Sequence, residues 1–459
     1  MGKKINRRAA LKVMGVGAVL GAAGLATYLN NRSSLLTLLN KDAKLAASST
    51  AHIDTRLYKA SNTKLSMLGF GAMRLPTKFN HEIDTELADK MIDYAYRRGV
   101  NYFDTAYMYH DGKSEAFLGK SLKRYPRESY FLVDKMPGYL VKSLDDAKRI
   151  FQEQLERCQV DYFDNYLLHY VHDRAEFDRV YIQEGVLDYL RSEKARGRIK
   201  YLGFSYHGTQ PLLDHLVDTY PWDFVMIQLN YQDWNEPEEA PHASRIEGSL
   251  YRKLESKGLP VFVMEPVKGG RLANLSETDT RILKSREPNR SIASWAIRFA
   301  ASHKNVVTVL SGMSDLNQVV DNINTMTDFK PLTEAEKRLV QNPSGQADAK
   351  DQLINCTNCR YCMPCPYGVD IPGNFQLFNK YGVAVGEADA QPTEALSKPA
   401  KTFLIQYKNT LAKAARADHC IRCGKCLNLC PQHLLIPDHL RKIDTLVETL
   451  TGVERRGSV

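Results

Sequence analysis

Eight of the nine cysteines fall in two short runs within the last third of the 459-residue chain. The downstream run, CIRCGKCLNLCP, separates its thiols by two, two and three residues, and the upstream run, CTNCRYCMPCP, by two each time. Thiolates at every third residue of a tight turn can wrap three corners of an iron–sulfur cubane. The sequence therefore predicts two [4Fe–4S] clusters with the ligands Cys356, Cys359, Cys362, Cys365, Cys420, Cys423, Cys426 and Cys430.

The cluster ligands are expected to cross between the runs. In the bacterial two-cluster ferredoxin pattern, the fourth cysteine of a run binds the other cluster. Here that pattern joins Cys430 to the first three upstream cysteines, and Cys365 to the first three downstream ones. The spacing before Cys365 is one residue short, so its role as a ligand stays open. Zinc usually takes two separated pairs of cysteines, and disulfides between such near neighbours would be strained.

The N-terminus carries two adjacent arginines before an apolar segment. Arg7 and Arg8 precede VMGVGAVLGAAGLATYL, which resembles a twin-arginine export signal. A plain membrane anchor or an ordinary secretory signal is the alternative. We expect residues 1–30 to act as signal or anchor and residues 31–55 as a linker. Passage through the twin-arginine export machinery would leave the protein periplasmic, or held at the outer face of the inner membrane by an uncleaved signal.

Composition narrows the class of protein. Apolar residues make up 43% and charged residues 25% of the chain, as in a globular protein. The net charge is +9, and part of the excess lies in the N-terminal segment. No basic run with interleaved aromatic residues occurs elsewhere, so we expect no nucleic-acid partner.

Eight apolar runs alternate with amphipathic segments in the middle of the chain. They are LSMLGFG, NYFDTA, YFLVDK, DNYLLH, YLGFS, FVMIQL, PVFVME and VVTVLS. Eight strands alternating with helices predict a (β/α)8 barrel. A doubly wound sheet is the alternative, but no glycine-rich first turn supports it. We place the barrel at residues 56–345 and a mainly helical, ferredoxin-like iron–sulfur domain at residues 346–459.

Polar residues stand at the ends of these runs, where barrel enzymes carry their chemistry. The segment GVNYFDTAYMYHDGKSE resembles the signature of the aldo-keto reductases, with Asp104 followed by Tyr109. Lys135 after a strand, YLLH ending in His169, and GRIKYLGFS follow in the family's order. Over about residues 56–330, and together with VMEPVKGGRL and the cysteine runs, the chain is similar to a branch of that family fused to a ferredoxin-like module.

The resemblance implies a catalytic tetrad of Asp104, Tyr109, Lys135 and His169. Hydride transfer from a nicotinamide to a carbonyl carbon leaves an oxyanion that needs a proton. Tyr109 would donate it, since a Lys135 ammonium held by Asp104 lowers the pKa of the phenol. His169 would orient and polarise the carbonyl.

The resemblance also implies where the nucleotide binds. Ser205 and Gln228 would hold the carboxamide, Met264 would pack on the nicotinamide, and SGMSDLNQVVDN would hold the adenosine phosphates. The resemblance favours NADP, because the family usually binds it. NAD stays open as an alternative, because the segment expected to hold the phosphates lacks a basic residue for a 2′-phosphate. The full set of expected cofactor contacts is Gly71, Ser205, Gln228, Met264, Lys268, Arg271, Gly312, Met313, Ser314, Gln318 and Asn322.

Two functions follow from these patterns. The first is an oxidoreductase that transfers a hydride between NAD(P)H and a small carbonyl or alcohol substrate. The second is an iron–sulfur electron-transfer protein, in which the barrel is a docking scaffold and a redox partner protein takes the electrons. A hydride carries two electrons and each cluster carries one, so direct coupling would need a mediator such as a flavin. No flavin motif is present, and the clusters are therefore either structural or serve a partner.

Overall fold

The computed structural model describes residues 52–78, 82–234, 247–344, 353–383, 385 and 396–452. These residues form an eight-stranded parallel barrel, closed on itself, followed by a helical domain. The predicted fold class is therefore confirmed. The predicted signal at 1–30 and the linker up to residue 51 lie outside the described residues.

Each of the eight apolar runs overlaps one strand of the barrel. Parallel pairing runs through all neighbours, and the last strand closes on the first, with Val309 opposite Leu68. The barrel strands are β3 (Leu68–Gly71), β4 (Tyr102–Asp104), β5 (Phe131–Pro137), β6 (Phe163–Val171), β7 (Ile199–Tyr206), β8 (Phe224–Gln228), β9 (Val261–Met264) and β10 (Val306–Gly312).

Amphipathic helices cover the outside of the barrel. The helix Thr85–Arg97 shows why: it buries Ala88, Met91, Ile92 and Ala95 on one face, the spacing that a 3.6-residue period requires. The barrel helices are Thr85–Arg97, Lys113–Leu122, Leu144–Cys158, Arg174–Phe177, Val186–Ala195, Gln210–Thr219, Glu247–Ser256, Glu277–Arg286, Ile292–Ala301, Leu316–Thr325 and Glu334–Gln341.

An antiparallel hairpin closes the N-terminal end of the barrel, and the sequence reading did not predict it. Its strands are β1 (Thr55–Tyr58) and β2 (Thr63–Ser66). Tyr58 is fully buried, and its ring lies edge-on to Phe224 and Phe262 of the barrel interior. Ile53, which lies in the predicted linker, is also buried, in the core of the barrel.

Among the residues described from 353 onward, the regular secondary structure of the C-terminal domain is helical. Its helices are Ile371–Leu377, Lys398–Thr410 and Ile436–Thr451, which share a small apolar core that includes Phe375, Phe403 and Ile443. The loops before and between these helices, which carry the cysteine runs, lie against the C-terminal ends of the barrel strands. His433 Nε2, for example, is 2.9 Å from the carbonyl oxygen of His207.

In the parts of the chain that the structure describes, no helix is both long and apolar enough to cross a bilayer.

Candidate active site and cluster loops

A buried ion pair anchors the site at the C-terminal end of the barrel. Asp104 is the last residue of β4, and Lys135 lies on the neighbouring strand β5. Lys135 Nζ donates to Asp104 Oδ1 and to the carbonyl oxygen of Thr105, both at 2.6 Å. The two charged side chains are 2% and 5% exposed, so the pair is fixed by strand geometry and shielded from solvent.

The two remaining members of the predicted tetrad lie beside this pair. Lys135 Nζ is 4.9 Å from the centre of the Tyr109 ring. The ring centres of Tyr109 and His169 are 6.2 Å apart, with the planes at 83°. Asp104, Lys135, His169 and Tyr109 are all buried. The structure thus brings together the four residues that the sequence places on three different strands and one loop.

The electrostatics of the site favour a charged lysine beside a neutral phenol and a neutral imidazole. Burial is the largest single effect on Lys135 and lowers its pKa, but Asp104, Tyr109 and Asp134 together outweigh burial and the net shift is upward. Burial raises the pKa of Tyr109, and the Lys135 ammonium opposes this without reversing it. Burial and the charge of Lys135 lower the pKa of His169 well below its ordinary value.

The Tyr109 result corrects one expectation. The ammonium does lower the pKa of the phenol, as expected, but the removal of the phenol from water is the larger effect. Tyr109 is therefore a protonated hydroxyl at neutral pH, which is the state that a proton donor needs.

A cavity of about 340 Å³ lies against the tetrad and contains most of the predicted cofactor contacts. Gly71 allows close approach of the strands there, since a Cβ at this position would lie 3.3 Å from the carbonyl oxygen of Ser311. The Ser205 hydroxyl accepts a hydrogen bond of 2.9 Å from the N–H of Tyr170. The predicted contacts that line this cavity are Gly71, Ser205, Gln228, Met264, Gly312, Ser314, Gln318 and Asn322.

One end of the cavity is the N-terminus of the helix Leu316–Thr325. The helix begins after Asp315, whose carboxylate accepts a hydrogen bond from the N–H of Gln318. Asn322 Nδ2 donates to the hydroxyl of Ser311 at 3.0 Å, which ties the helix to β10. A helix N-terminus of this kind is suited to a phosphate group.

Three predicted cofactor contacts lie elsewhere. Met313 is buried in the barrel core. Lys268 forms a buried ion pair with Asp233, and Arg271 donates to the side chain of Asn355 in the iron–sulfur domain. None of the three lines the cavity. The glycine loop that carries Lys268 and Arg271 is thus held by protein partners, which their loop position in the sequence does not reveal.

The cysteines form two neighbouring groups that cross between the runs. Burial raises the pKa of the Cys362 thiol, and Cys359, Cys356 and Cys430 raise it further. Burial also raises the pKa of Cys426, to about 11. The neighbouring thiols of Cys420, Cys423 and Cys365 contribute to that increase. By these neighbours, Cys356, Cys359, Cys362 and Cys430 form what we call the inner group, and Cys365, Cys420, Cys423 and Cys426 the outer group, with Cys362 and Cys426 also near each other.

One backbone amide in the cysteine loops points at a cysteine sulfur. The N–H of Asn358 donates to Cys356 Sγ at 3.4 Å, and hydrogen bonds to the sulfurs help to tune iron–sulfur clusters. In the described ranges, no three His, Cys, Asp or Glu side chains converge closely enough to hold a single metal ion. The all-cysteine donor set is the one that iron–sulfur clusters use.

Comparison with known proteins identifies the barrel. The family model for the aldo/keto reductase family matches residues 67–342, more than half of the chain. This chain belongs to the aldo/keto reductase family. A second model, for a 4Fe-4S dicluster domain, matches residues 355–435. The expected family and the expected C-terminal module are both confirmed.

Three similar proteins are named as a dehydrogenase or as aldo-keto reductases. L-galactose dehydrogenase of Arabidopsis thaliana is 26% identical over 306 residues, which cover 61% of this chain and 90% of that protein. An aldo-keto reductase from Bacillus halodurans, solved in its holo form, is 25% identical with a TM-score of 0.52 over 63% of this chain and 96% of that one. A Klebsiella pneumoniae aldo-keto reductase in complex with NADPH is 18% identical, with a TM-score of 0.51 over 64% and 97% of the two chains.

Tyr361 and Arg74 are residues of this reductase's site that the sequence reading missed. The hydroxyl of Tyr361 lies 3.2 Å from His169 Nε2, although 192 residues separate the two in the chain. Arg74 follows β3, its side-chain carbons pack on Gly312, and its guanidinium donates to the carbonyl oxygen of Thr357 in the iron–sulfur domain. Nothing in the pattern around Tyr361 marks it as an active-site residue, because it stands between two cysteines and reaches the barrel only through the docking of the domains.

A second, larger cavity lies between the barrel and the iron–sulfur domain. This interdomain cleft measures about 1,930 Å³, and its walls include Tyr139 and Tyr170 from the barrel and Tyr381 from the iron–sulfur domain. Tyr109 and Tyr361 line both this cleft and the smaller cavity. Tyr109 therefore stands at the partition between the smaller cavity and the wider cleft.

Proposed function

We propose that this aldo/keto reductase transfers a hydride between NAD(P)H and a carbonyl or alcohol substrate, and that it carries two [4Fe–4S] clusters. The observation that carries the proposal is the buried Lys135–Asp104 pair beneath Tyr109, with His169 alongside, on the wall of a cavity lined by Ser205 and Gln228. Four ionisable groups desolvated at one point of a cleft are the arrangement that enzymes use for proton transfer.

The side chains would each perform one task in the reduction. Bound NAD(P)H supplies the hydride, which adds to the carbonyl carbon and leaves NAD(P)⁺. The Tyr109 hydroxyl gives its proton to the carbonyl oxygen, and the alcohol is released. The Lys135 ammonium stabilises the phenolate that Tyr109 becomes, and Asp104 holds that ammonium in place. His169, neutral at physiological pH because of its lowered pKa, hydrogen-bonds the carbonyl without competing for the proton.

We propose NADP as the preferred nucleotide. The support is Arg74, which lines the cavity with its side-chain carbons against Gly312 and its guanidinium on the carbonyl oxygen of Thr357, together with the NADPH named for the Klebsiella reductase. Dissociation constants for NADPH and NADH, followed by fluorescence, test the preference. Arg74→Gln should reduce the difference between the two dissociation constants. Equal affinities for NADPH and NADH in the wild-type protein would contradict the preference for NADP.

The catalytic assignment is tested with Tyr109→Phe and Lys135→Met. General acid catalysis typically contributes ~10²–10⁴-fold, so Tyr109→Phe should lose carbonyl reduction by that factor while it still binds nucleotide. Lys135→Met should lose a similar amount and also change the pH dependence, since the charge beside the phenol is gone. The assay is oxidation of NAD(P)H with a panel of aldehydes, quinones and ketones. Full activity in Tyr109→Phe would show that the tetrad is not the catalytic unit.

The second candidate function is electron transfer through the clusters. One observation favours it: Cys359, a member of the inner cysteine group, lines the same cavity as the tetrad. A cluster held there would lie beside the nucleotide. Nucleotide binding with no reduction of any carbonyl, but with reduction of the clusters detected by electron paramagnetic resonance, would favour this function over the first.

We also propose export by the twin-arginine route, with the protein in the periplasm or held at the membrane's outer face. The support is the Arg7–Arg8 pair before an apolar segment, in a chain whose clusters must be inserted before export. Residues 1–50 fused to a reporter that folds before export should carry it across the membrane. Arg7→Lys combined with Arg8→Lys should stop this export, and its persistence would leave a simple anchor as the better explanation.

A further inference from the structure

The iron–sulfur domain contributes a side chain to the catalytic pocket. Tyr361 stands in the chain between Cys359 and Cys362, two members of the inner cysteine group. Its hydroxyl lies 3.2 Å from His169 Nε2, and Tyr361 lines the same cavity as Tyr109. A side chain of the iron–sulfur domain thus contacts the imidazole assigned to polarise the carbonyl, in the cavity that also holds the assigned proton donor.

A substrate would need the same contact with His169. A neutral imidazole has one N–H, so a hydrogen bond from His169 to Tyr361 is withheld from a carbonyl oxygen. Two oxygen atoms cannot take the same position beside His169 Nε2, so a carbonyl that is hydrogen-bonded there requires the Tyr361 hydroxyl to leave.

We propose that Tyr361 determines substrate specificity by holding the place of the substrate's carbonyl oxygen until a suitable substrate displaces it. This inference rests on the hydride-transfer function proposed above. Tyr361 and Tyr109 line both cavities, so the substrate approaches from the interdomain cleft and the nucleotide lies on the other side.

The chemistry of the cleft indicates which carbonyl compounds can displace Tyr361. Displacement costs the hydrogen bond between Tyr361 and His169, and a small aldehyde has few other contacts with which to offset that loss. The cleft, at about 1,930 Å³, exceeds the ~300–1,000 Å³ of an ordinary small-molecule site. The substrate class is therefore a large carbonyl compound whose remaining part packs on Tyr139 and Tyr170.

A binding experiment with benzoate tests the proposal. In the NADP⁺ complex, a benzoate oxygen stands in for the carbonyl oxygen between Tyr109 and His169, and its dissociation constant is measured by calorimetry. Tyr361→Phe keeps the ring and removes the competing hydroxyl. A net hydrogen bond is worth about 0.5–1.5 kcal/mol, so benzoate should bind roughly 2–10-fold more tightly to Tyr361→Phe. Tyr367→Phe is the matched control in the same segment, since Tyr367 is 45% exposed and should leave benzoate binding unchanged.

The outcomes separate this inference from the proposed function. Benzoate binding that is equal or weaker in Tyr361→Phe, at unchanged iron content and NADP⁺ affinity, overturns the role of Tyr361. If the phenylalanine variant loses iron, Tyr361→Leu with full iron content is measured in its place, with the same expected and contradicting results. A wild type that reduces no carbonyl, but binds benzoate less tightly than Tyr361→Phe, refutes the hydride-transfer function and supports the position of Tyr361.

Discussion

The barrel and the iron–sulfur domain are stabilised by different means. The barrel buries one continuous apolar core around all eight strands, closed below by the β1–β2 hairpin. The iron–sulfur domain has a much smaller core, in which several cysteines pack beside the apolar side chains. Small domains bury too little surface to be stable alone and commonly depend on metals. We therefore expect the second domain to need its clusters for folding, whereas the barrel does not.

The largest effect should come from breaking one cysteine group. Cys365→Ser removes a ligand of the outer group, so iron should fall from about eight to about four atoms per chain, the content of two and of one cubane. The inner cluster, the nucleotide affinity and the unfolding of the barrel should stay as in the wild type. Iron and sulfide analysis of anaerobically purified protein measures this.

Cys158→Ser is the control for Cys365→Ser, because Cys158 is buried in the barrel and belongs to neither group. Iron content that is unchanged in Cys365→Ser would show that the upstream run supplies only three ligands. A barrel that unfolds together with the lost cluster would contradict the independence of the two domains.

The next largest effect should come from truncating Tyr58, a buried residue of the β1–β2 hairpin that closes the barrel. Tyr58 is fully buried among rings that include Phe131, Phe224 and Phe262. Truncating a buried aromatic residue typically costs about 3–5 kcal/mol, so Tyr58→Ala should lower the free energy of unfolding of the barrel by that amount. Iron content should not change. Urea unfolding of wild type and Tyr58→Phe, which keeps the ring, provides the comparison, and a loss below about 1 kcal/mol would mean that the hairpin is not part of the core.

Sequence patterns predict some parts of this structure, whereas other parts depend on how the iron–sulfur domain docks on the barrel. Strand periodicity predicts the barrel, and strand ends predict Asp104, Lys135 and His169, because parallel strands bring their ends to one edge. Cysteine spacing predicts the ligands in the same way. Tyr361 belongs to neither pattern: its place beside His169 depends on how two domains meet.

The placement of Lys268 and Met313 also could not be read from the chain. Each lies in a loop whose sequence suits a cofactor, but tertiary partners decide where the side chain goes. Asp233, 35 residues away, pairs with Lys268, and the barrel core takes Met313. Tertiary contacts of this kind leave no periodic pattern in the amino-acid sequence.

Acid should destabilise the barrel through a buried histidine. His303 stacks on Trp234 at 4.3 Å between ring centres, and burial lowers its pKa from 6.5 to about 3. Between these two pKa values the unfolded chain binds a proton that the native state does not, so stability falls as the pH falls below about 6.5. One such group changes the free energy of unfolding by up to ~1.4 kcal/mol per pH unit in this interval.

The variant His303→Gln tests this slope. It should flatten the decline of the free energy of unfolding between pH 6.5 and 5, and leave the dependence above pH 7 as in the wild type. Urea titrations at several pH values measure both intervals. An equally steep decline in His303→Gln would place the acid sensitivity in other groups, such as the carboxylates of buried ion pairs.

The smallest expected effect concerns the helix Glu334–Gln341, the last described helix of the barrel before the iron–sulfur domain. Thr333 forms a capping box with Glu336: its hydroxyl accepts from the Glu336 N–H at 3.3 Å, and the Glu336 carboxylate accepts from the Thr333 N–H at 2.8 Å. Loss of such a cap costs ~1 kcal/mol, so Thr333→Ala should lower the stability of the barrel by about that amount, and Thr333→Ser should restore it. If the two domains fold independently, iron content and the unfolding of the iron–sulfur domain will not change. A cap mutation that also loosens the clusters would show instead that this helix transmits stability from the barrel to the domain that follows it.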